Sequence, residues 1–396
     1  MKKLLVYSHD TYGLGNIRRM LAICHHLLEV IPELSILLVT GSPVIHSLRL
    51  PSLLDYIKLP CLTRVGRDEY KTKYLSDNIV DAIRLRSDLI LSTVRNFKPD
   101  MLIVDKKPMG VKGELADTLS YLQVERPETR QLLILRDILD SPQTIKSNWT
   151  RNGHYEAIKK HYDSVLILGE RRIFDLVREY DFPASVAGKV EFCGYIRREA
   201  EPHIRERTRG RLQINEAEKL VLVTSGGGQD GYSLIENYLS AVRAAPADRR
   251  FKSLLVFGPE MPEPQRTILQ RRAANERDIL FQEFAGDMIG LMAAADVVIS
   301  MGGYNSICEI LSLKKRAIII PRFRPTEEQW IRADRLSRLG YFKTIHPDEL
   351  RPDLLLNALL ESLMPDEMIA ETAEINLDGL PVVAARVKSL VFGLQD

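Results

Sequence analysis

The sequence predicts an α/β protein made of two doubly wound domains, each with helices on both faces of a parallel sheet. Short apolar runs alternate with longer amphipathic stretches, this alternation occurs twice, and a charged segment at 197–218 separates the two series. A chain of 396 residues also exceeds the usual size of one hydrophobic core. We expect the two domains to face each other across a cleft.

The apolar runs predict buried parallel strands, because they lack the polar alternation of a half-exposed sheet. The first series covers 3–7, 35–40, 101–105, 131–135 and 164–168, and VEFCG follows it. The second series covers 219–224, 253–257, 278–284, 296–300 and 317–321. The predicted domains are therefore 1–198 and 199–372, and a helix within 373–396 is expected to pack back on the first domain.

The composition is that of an ordinary globular protein. A net charge of +2 is too small to predict a nucleic-acid partner. The cysteines lack metal-ligand spacing and are typical of reduced thiols in a cytosolic protein; they are Cys24, Cys61, Cys193 and Cys308. No apolar run approaches the roughly 18–20 residues of a membrane span. We therefore expect a cytoplasmic protein.

A glycine turn in ISMGGYNSICEILS predicts a phosphate site in the second domain. Gly302 and Gly303 let a ligand approach the backbone, and the helix that follows offers unpaired N–H groups and the positive end of its dipole. Glu309 follows Ser306 at the spacing of a capping box. Glu309 therefore either closes the helix N-terminus or accepts hydrogen bonds from a ribose.

A second glycine turn lies in VLVTSGGGQDGY, at Ser225, Gly226, Gly227 and Gly228. A tight strand-to-helix turn explains some of these glycines, but three in a row favour contact with a phosphate or a sugar. No GK[ST] follows either turn, and the GxGxxG fingerprint is missing. These absences argue against kinases, ATPases and dehydrogenases.

PRFRPTEEQWIRADRL places Glu327, Glu328 and Gln329 where a helix should begin. Acidic residues in a first helical turn stabilise the helix dipole and need no ligand. A neighbouring carboxylate and amide also suit the hydroxyl groups of a sugar. The sequence leaves both interpretations open.

Polar side chains follow three strands of the first domain. His9 and Asp10 end the first strand in SHDTYGLGNIRRM, where α/β folds place residues that bind ligands. VDKKPMGVKGEL and LRDILDSP follow two further strands and supply Asp105, Glu114, Arg136, Asp137 and Asp140. Their carboxylates either orient an acceptor hydroxyl or cap helices and turns.

With these segments in view, the chain resembles the GT-B nucleotide-sugar glycosyltransferases, and it is most similar to family 28. The resemblance is most specific in FAGDMIGLMAAADVVISMGGYNSICEIL and IIIPRFRPTEEQWIRADRLSRLG, and weaker in the first domain. It implies a GT-B fold that binds a nucleotide diphosphate sugar as co-substrate, without a further cofactor or a metal.

The resemblance also implies roles for individual residues. The donor diphosphate would contact Gly302, Gly303, Tyr304, Asn305 and Ser306, and the ribose would contact Glu309. Glu328 and Gln329 would bind the donor sugar. The base pocket would comprise Phe257, Gly258, Phe284 and Met288, and Ser225 to Gly228 would face the phosphates across the cleft.

One position departs from the family pattern. Such proteins often read G-x-G-H-x-x-R, and Gly13, Gly15 and Arg19 fit it, but Asn16 replaces the histidine. An amide cannot accept the proton of an attacking hydroxyl, although it can still hydrogen-bond a sugar or a phosphate. If transfer occurs, the candidate general bases are His9, Asp10 and Asp137, in falling order.

The predicted function is that of an inverting, metal-independent glycosyltransferase with a UDP-linked donor. The alternatives are a nucleotide-sugar hydrolase of the same fold and a catalytically silent nucleotide-sugar-binding protein, which Asn16 would favour. Long loops predicted at 61–76 and 141–155 favour a bulky acceptor over water. That acceptor is a small molecule or is lipid-linked, and the second kind implies peripheral membrane contact.

Overall fold

The computed structural model describes residues 1–9, 15–66, 68–76, 78–246, 251–364 and 373–393. The chain divides into two compact units. Unit 1 comprises Met1–Ile196 and Asp378–Asp396, and unit 2 comprises Arg197–Leu377. In the described ranges, each unit is built on a parallel sheet with helices, which confirms the predicted α/β class.

Unit 1 contains the strands predicted from the first apolar series and from VEFCG, and three further strands, all within 54–72, between them. The strands are β1 (Lys2–Ser8), β2 (Leu34–Thr40), β3 (Leu54–Lys58), β4 (Leu62–Gly66), β5 (Glu69–Thr72), β6 (Met101–Asp105), β7 (Arg130–Arg136), β8 (Ser164–Leu168) and β9 (Val190–Phe192). The helices are α1 (Gly15–Val30), α2 (Ile79–Phe97), α3 (Ala116–Glu125), α4 (Pro142–Arg151), α5 (His154–His161), α6 (Leu176–Glu179) and α7 (Ala184–Ala187).

The described strands of unit 1 form a parallel sheet in the order β3-β2-β1-β6-β7-β8-β9. The chain order reverses between β1 and β6, whose backbones pair from Leu4 with Met101 to Tyr7 with Val104. Every residue of β6 is buried, so both faces of this strand are covered by the rest of unit 1. A reversal of this kind is where doubly wound folds bind their ligands, at the carboxyl edge of the sheet.

Unit 2 repeats the same design. Its strands are β10 (Leu220–Thr224), β11 (Lys252–Val256), β12 (Ile279–Gln282), β13 (Val297–Ser300), β14 (Arg316–Ile319) and β15 (Lys343–Thr344). Its helices are α8 (Ile204–Arg211), α9 (Tyr232–Arg243), α10 (Glu263–Arg272), α11 (Met288–Ala294), α12 (Tyr304–Ser312), α13 (Glu328–Arg338) and α14 (Pro352–Leu363). Over the described strands the order is β12-β11-β10-β13-β14-β15, and it reverses between β10 and β13.

The C-terminal helix α15 (Gly379–Phe392) belongs to unit 1 and packs against α1. It begins where the backbone of Gly379 passes close to Tyr195, whose carbonyl oxygen would lie 2.8 Å from a Cβ at this position. All four cysteines are buried reduced thiols. Within the described ranges, the helices are all too short or too polar to cross a membrane.

The sequence analysis was wrong about two predicted loops. The hairpin of β4 and β5 occupies most of 61–76, and α4 with the start of α5 occupies most of 141–155. Pro142 stands at the first position of α4, where its missing N–H has no consequence. The argument that long loops there favour a bulky acceptor therefore fails.

Candidate active site

His9 and Asp105 lie side by side at the point where the strand order of unit 1 reverses. His9 follows β1 directly, and Asp105 is the last residue of the neighbouring strand β6. The His9 Nδ1 atom lies 3.6 Å from Asp105 Oδ2, which is an electrostatic contact slightly longer than a hydrogen bond. Arg19, from α1, donates from Nη2 to Asp105 Oδ1 at 2.6 Å. All three side chains are buried.

Burial and charge fix the protonation states of this cluster. Burial lowers the pKa of His9 to about 4, and the neighbouring Asp105 carboxylate only partly opposes this shift. Burial alone would raise the pKa of Asp105, but the Arg19 guanidinium and His9 outweigh it and hold that pKa at about 2. At neutral pH the cluster is therefore a neutral imidazole, which can accept a proton, beside an ionised carboxylate that would stabilise the resulting imidazolium.

The structure changes the role predicted for Asp105. Its carboxylate is fully buried against Arg19 and His9, so it cannot orient an acceptor hydroxyl directly. It can instead orient the His9 ring through Nδ1 and stabilise the imidazolium that a proton transfer would form. Strand order was the missing signal, because the sequence does not say that β1 and β6 are neighbours.

Asn16 lies in the first turn of α1, at the position where the family pattern has histidine. Its side-chain oxygen accepts a hydrogen bond from Arg19 Nη2 at 3.2 Å, so Arg19 connects it to Asp105. The first turn of α1 contains no acidic residue, and Gly15 is exposed at its start. Two of the predicted site residues, Asp10 and Gly13, lie outside the described residues.

Asp137 and Asp140 are buried and hydrogen-bonded within unit 1. Asp137 accepts from the backbone N–H of Ile138 at 2.8 Å and from the Tyr195 hydroxyl at 3.1 Å. Asp140 accepts from the backbone N–H of Ser141 at 2.9 Å, as the turn-capping alternative predicts. These bonds make Asp137 a poor candidate for a base and Asp140 a poor ligand for an acceptor. Arg136, the last residue of β7, is also buried.

Glu114 forms a buried ion pair that the sequence did not reveal. Arg86 donates to its carboxylate from Nε at 2.5 Å and from Nη2 at 2.8 Å, and the Tyr7 hydroxyl also donates to it. Arg86 holds the Pro60 carbonyl as well, at 2.7 Å. Burial raises the pKa of Tyr7 well above its usual range. Glu114 thus fixes the segment after β6 and does not face an acceptor.

In unit 2, the Gly302–Gly303 turn lies between β13 and α12. Gly302 has a φ of +68°, and a Cβ there would lie 2.6 Å from Ile319 Cγ2, so the fold requires glycine. Gly303 has an ordinary φ of −59°, and among the described residues nothing lies within 4 Å of its Cβ position. Gly303 is the N-cap of α12, a position that glycine favours, and its open Cβ position also leaves room for a ligand at the start of this helix.

The capping box predicted for Ser306 and Glu309 is wrong. The helix begins at Tyr304, and Gly303 is its N-cap, so Ser306 already lies inside the first turn. Glu309 lies a further turn along α12, is buried, and is too far from the N-terminus to cap it. Of the two roles considered for Glu309, contact with a ribose remains as a proposal. Asn305 and Ser306 are half-buried in the first turn.

Packing explains most of the glycine turn at 225–228. Gly226 and Gly228 have φ values of +67° and +98°. A Cβ on Gly228 would collide with the Phe257 carbonyl, and one on Gly258 would collide with the backbone of the same turn. The Ser225 hydroxyl donates to the Phe257 carbonyl. Three glycines therefore do not by themselves indicate a ligand here, contrary to the sequence analysis.

The four residues assigned to the base pocket differ in accessibility. Phe257 is fully buried and stacks on Phe281 with ring centroids 5.3 Å apart, so its side chain supports the pocket from within the core. Gly258 is buried against the turn at 226–227. Phe284 is 44% exposed, and Met288 is half-buried at the start of α11. The exposed ring of Phe284 is therefore the available surface for a nucleobase.

Glu328 and Gln329 are held within unit 2. The Glu328 carboxylate lies between two arginines, with Oε1 3.6 Å from Arg322 Nη2 and Oε2 3.7 Å from Arg332 Nη2. Gln329 Oε1 accepts from the backbone N–H of Arg322 at 3.0 Å. The buried Arg332 also donates to the Gly302 carbonyl at 3.4 Å, and its guanidinium lies 5.7 Å from the Tyr304 ring centroid. Sequence reasoning missed both arginines, because only the fold brings Arg332 to the turn and Arg322 to the Glu328 carboxylate.

Sequence comparisons identify known proteins that part of this chain resembles. Residues 220–387 match the sequence model of the glycosyltransferase family 28 C-terminal domain. A Haemophilus influenzae protein named UDP-N-acetylglucosamine--N-acetylmuramyl-(pentapeptide) pyrophosphoryl-undecaprenol N-acetylglucosamine transferase is 26% identical over 181 residues, 46% of this chain and 50% of that protein. A protein of the same name from Agrobacterium fabrum is 27% identical over 183 residues, 45% of this chain and 48% of that protein. The chain spans about half the length of the curated relatives it matches.

Solved structures extend the likeness to both units. A kitacinnamycin glycosyltransferase aligns with a TM-score of 0.65 at 14% identity, over 98% of this chain and 99% of that chain. The chain has the GT-B fold and resembles family 28. Acinetobacter baumannii MurG aligns with a TM-score of 0.59 at 15% identity, over all of both chains. A UDP-GlcNAc 2-epimerase from Methanocaldococcus jannaschii aligns with a TM-score of 0.61 at 12% identity, over 98% and 99%. At such identities the structural likeness establishes the GT-B fold alone.

Proposed function

We propose that this protein is an inverting, metal-independent glycosyltransferase that moves a sugar from a UDP-linked donor to an acceptor hydroxyl. Unit 2 binds the donor, and unit 1 supplies the general base. The observation that carries the proposal is the position of His9, 3.6 Å from the Asp105 carboxylate where the strand order of unit 1 reverses, because this pair can accept a proton and stabilise it at the edge where such folds bind ligands.

The donor assignment rests on the Gly302–Gly303 turn within the range that matches family 28. A diphosphate at this turn would accept hydrogen bonds from the first N–H groups of α12, at the positive end of its dipole. Arg332, directly behind the turn, adds positive charge. These groups stabilise a departing UDP anion electrostatically, so the proposed reaction needs no metal.

The chemical step follows from the state of His9. The acceptor oxygen attacks the anomeric carbon while His9 takes the acceptor proton, and the bond from that carbon to the diphosphate oxygen breaks. UDP leaves with the electron pair of that bond. Asp105 stabilises the imidazolium, and Arg19 keeps the Asp105 carboxylate oriented. Attack from the face opposite the leaving group inverts the anomeric configuration.

The acceptor is a small molecule or is lipid-linked. The names of the curated relatives contain a pyrophosphoryl-undecaprenol acceptor and UDP-N-acetylglucosamine as donor. Both are proposals for this chain, as is the peripheral membrane contact that a lipid-linked acceptor implies.

Calorimetric titration with UDP, GDP and dTDP tests the donor class. We expect micromolar affinity selective for UDP, which corresponds to about −8 kcal/mol. A matched titration of Gly303→Ala should show weaker binding, because the new methyl group would occupy the space of the diphosphate. Failure of all three nucleotides to bind would refute the donor assignment.

Release of UDP from UDP-N-acetylglucosamine, measured with and without a bacterial membrane extract as acceptor source, tests the reaction class. Release that requires the extract is expected for a transferase. Release in water alone would instead indicate the hydrolase. Tight UDP binding with no release under either condition would indicate the silent binding protein.

A further inference from the structure

An ion pair connects the loops on either side of the Gly302–Gly303 turn. Asp230 lies in the loop after β10, and Arg322 lies in the loop after β14. Their side chains meet at 3.4 Å, between Asp230 Oδ2 and Arg322 Nη1. Because β10 and β14 are the two neighbours of β13, this pair joins the loops that flank the turn after β13.

The two partners differ in how firmly they are held. The Arg322 side chain is only 16% exposed, its guanidinium contacts Glu328, and its backbone N–H is bound by Gln329. The Asp230 side chain is 41% exposed and lies in the glycine-rich loop before α9. Asp230 is therefore the more solvent-accessible partner of the pair, whereas Arg322 is the more enclosed one.

We propose that Arg322 binds the donor diphosphate by exchanging its ion pair with Asp230 for phosphate oxygens. This inference rests on the proposed function and adds a residue to its donor site. Because its Asp230 end is 41% exposed, water screens this ion pair and reduces its contribution to stability. A guanidinium bound to phosphate forms shorter, charge-assisted hydrogen bonds that are stronger. Asp230 thus competes with the donor for Arg322.

Competition predicts opposite effects for the two partners. Asp230→Asn should raise the affinity for UDP about two- to fivefold, the range expected when a weak surface ion pair no longer competes. Arg322→Gln should lower the affinity for UDP about tenfold or more, because a charged hydrogen-bond donor is lost. Neither substitution should change the affinity for uridine, which has no phosphate. Calorimetric titrations with UDP and uridine measure all four values.

The double variant Asp230→Asn/Arg322→Gln separates exchange from simple charge repulsion. If Asp230 acts by occupying Arg322, its removal has no effect once Arg322 is gone. A gain in UDP affinity that persists in the Arg322→Gln background would overturn the exchange. Unchanged or lower UDP affinity in Asp230→Asn alone would overturn it as well.

Two controls complete the experiment. Glu276→Gln removes an acid of similar exposure, paired with Arg243 at 3.2 Å, and it lies just before β12 at the opposite edge of the sheet. This variant should leave UDP affinity unchanged. If Arg322→Gln fails to fold by thermal unfolding, Arg322→Lys and Asp230→Asn still test the proposal. A wild-type protein that binds no UDP would refute the proposed function itself, which is a different outcome.

Discussion

The two units reverse their strand order in the same way but place different chemistry at the reversal. In unit 1 the carboxyl edge at β1 and β6 holds buried ionisable side chains, with a neutral His9 beside the Asp105 carboxylate. In unit 2 the edge at β10 and β13 holds glycine turns and a helix N-terminus. Backbone N–H groups suit a diphosphate of fixed geometry, whereas a proton transfer needs a side chain of adjusted pKa.

This difference also explains where the resemblance to family 28 is specific. The match begins at residue 220, the first residue of β10, and it leaves the nine strands described in unit 1 outside it. A turn that binds a nucleotide diphosphate has few alternatives in sequence. Polar side chains can be arranged in many ways around one sheet edge, and in unit 1 Asn16 stands where the family pattern has histidine.

Loss of the base should give the largest effect and would test the role of unit 1. Replacing His9 by glutamine or alanine should lower turnover roughly 10²–10⁴-fold, because neither side chain accepts a proton. UDP affinity should stay unchanged, since the donor turn lies in unit 2. Steady-state rates and calorimetry measure the two quantities. Asn16→His is the control and should leave donor binding nearly unchanged; unaltered turnover in the His9 variants would refute the base assignment.

Loss of the Glu114 charge should lower the free energy of unfolding. The loss should be similar in size to the rise in activation free energy expected for the His9 variants. Glu114→Gln leaves the Arg86 guanidinium buried without its counter-ion, which typically costs about 3–5 kcal/mol. Chemical denaturation monitors the change, and Glu128→Gln at the exposed pair with Arg126 is the matched control. Glu114 would have a role beyond stability if activity fell in Glu114→Gln while its unfolding free energy stayed at the wild-type value.

Adjacent glycines of unit 2 should respond in different ways. Gly303→Ala should lose only about 0.5–1 kcal/mol of stability, because alanine is a poorer N-cap than glycine but its Cβ meets no described atom within 4 Å, yet it should bind UDP about tenfold more weakly. Gly302→Ala should lose about 1–3 kcal/mol of stability, because it combines a positive φ with a close contact to Ile319. Thermal unfolding and UDP titration distinguish the two. Normal UDP affinity in Gly303→Ala would mean that the turn does not seat the diphosphate.

The smallest effect concerns pH. An ordinary histidine has a pKa near 6.5, but burial lowers the pKa of His9 to about 4. Native His9 therefore stays neutral from pH 7 down to about 5, and the acid limb of kcat/KM that this group causes should lie near pH 4. As pH falls between these two pKa values, the unfolded chain takes up a proton that the native protein does not, so stability decreases.

His9→Gln should abolish that part of the pH dependence of stability. Asp105 affects stability at lower pH than His9 does. Its native pKa is about 2, so the stabilisation from its ionised carboxylate is lost only as the pH falls below about 4. An acid limb of kcat/KM at pH 6.5 would show that another group, and not buried His9, controls the rate.

The sequence alone predicted the local features of both units. Apolar periodicity located the central strands, and glycine position located the turn after β13, because both depend on residues close together in the chain. The sequence did not predict β3 and β15, which lie at the edges of their sheets. Strand β15 is only two residues long. Short edge strands leave little apolar signal.

Tertiary structure alone decided which charges meet. His9 reaches Asp105 because β1 and β6 are neighbours in the sheet. Arg86 of α2 reaches Glu114 in the segment after β6. Arg322 meets Asp230 from the loops that follow β14 and β10, the strands on either side of β13. Each pair joins residues that are distant in the chain, and its geometry follows from strand order and burial. The sequence therefore predicted a candidate site at the strand ends, and the packing of the sheets determined which side chains lie together there.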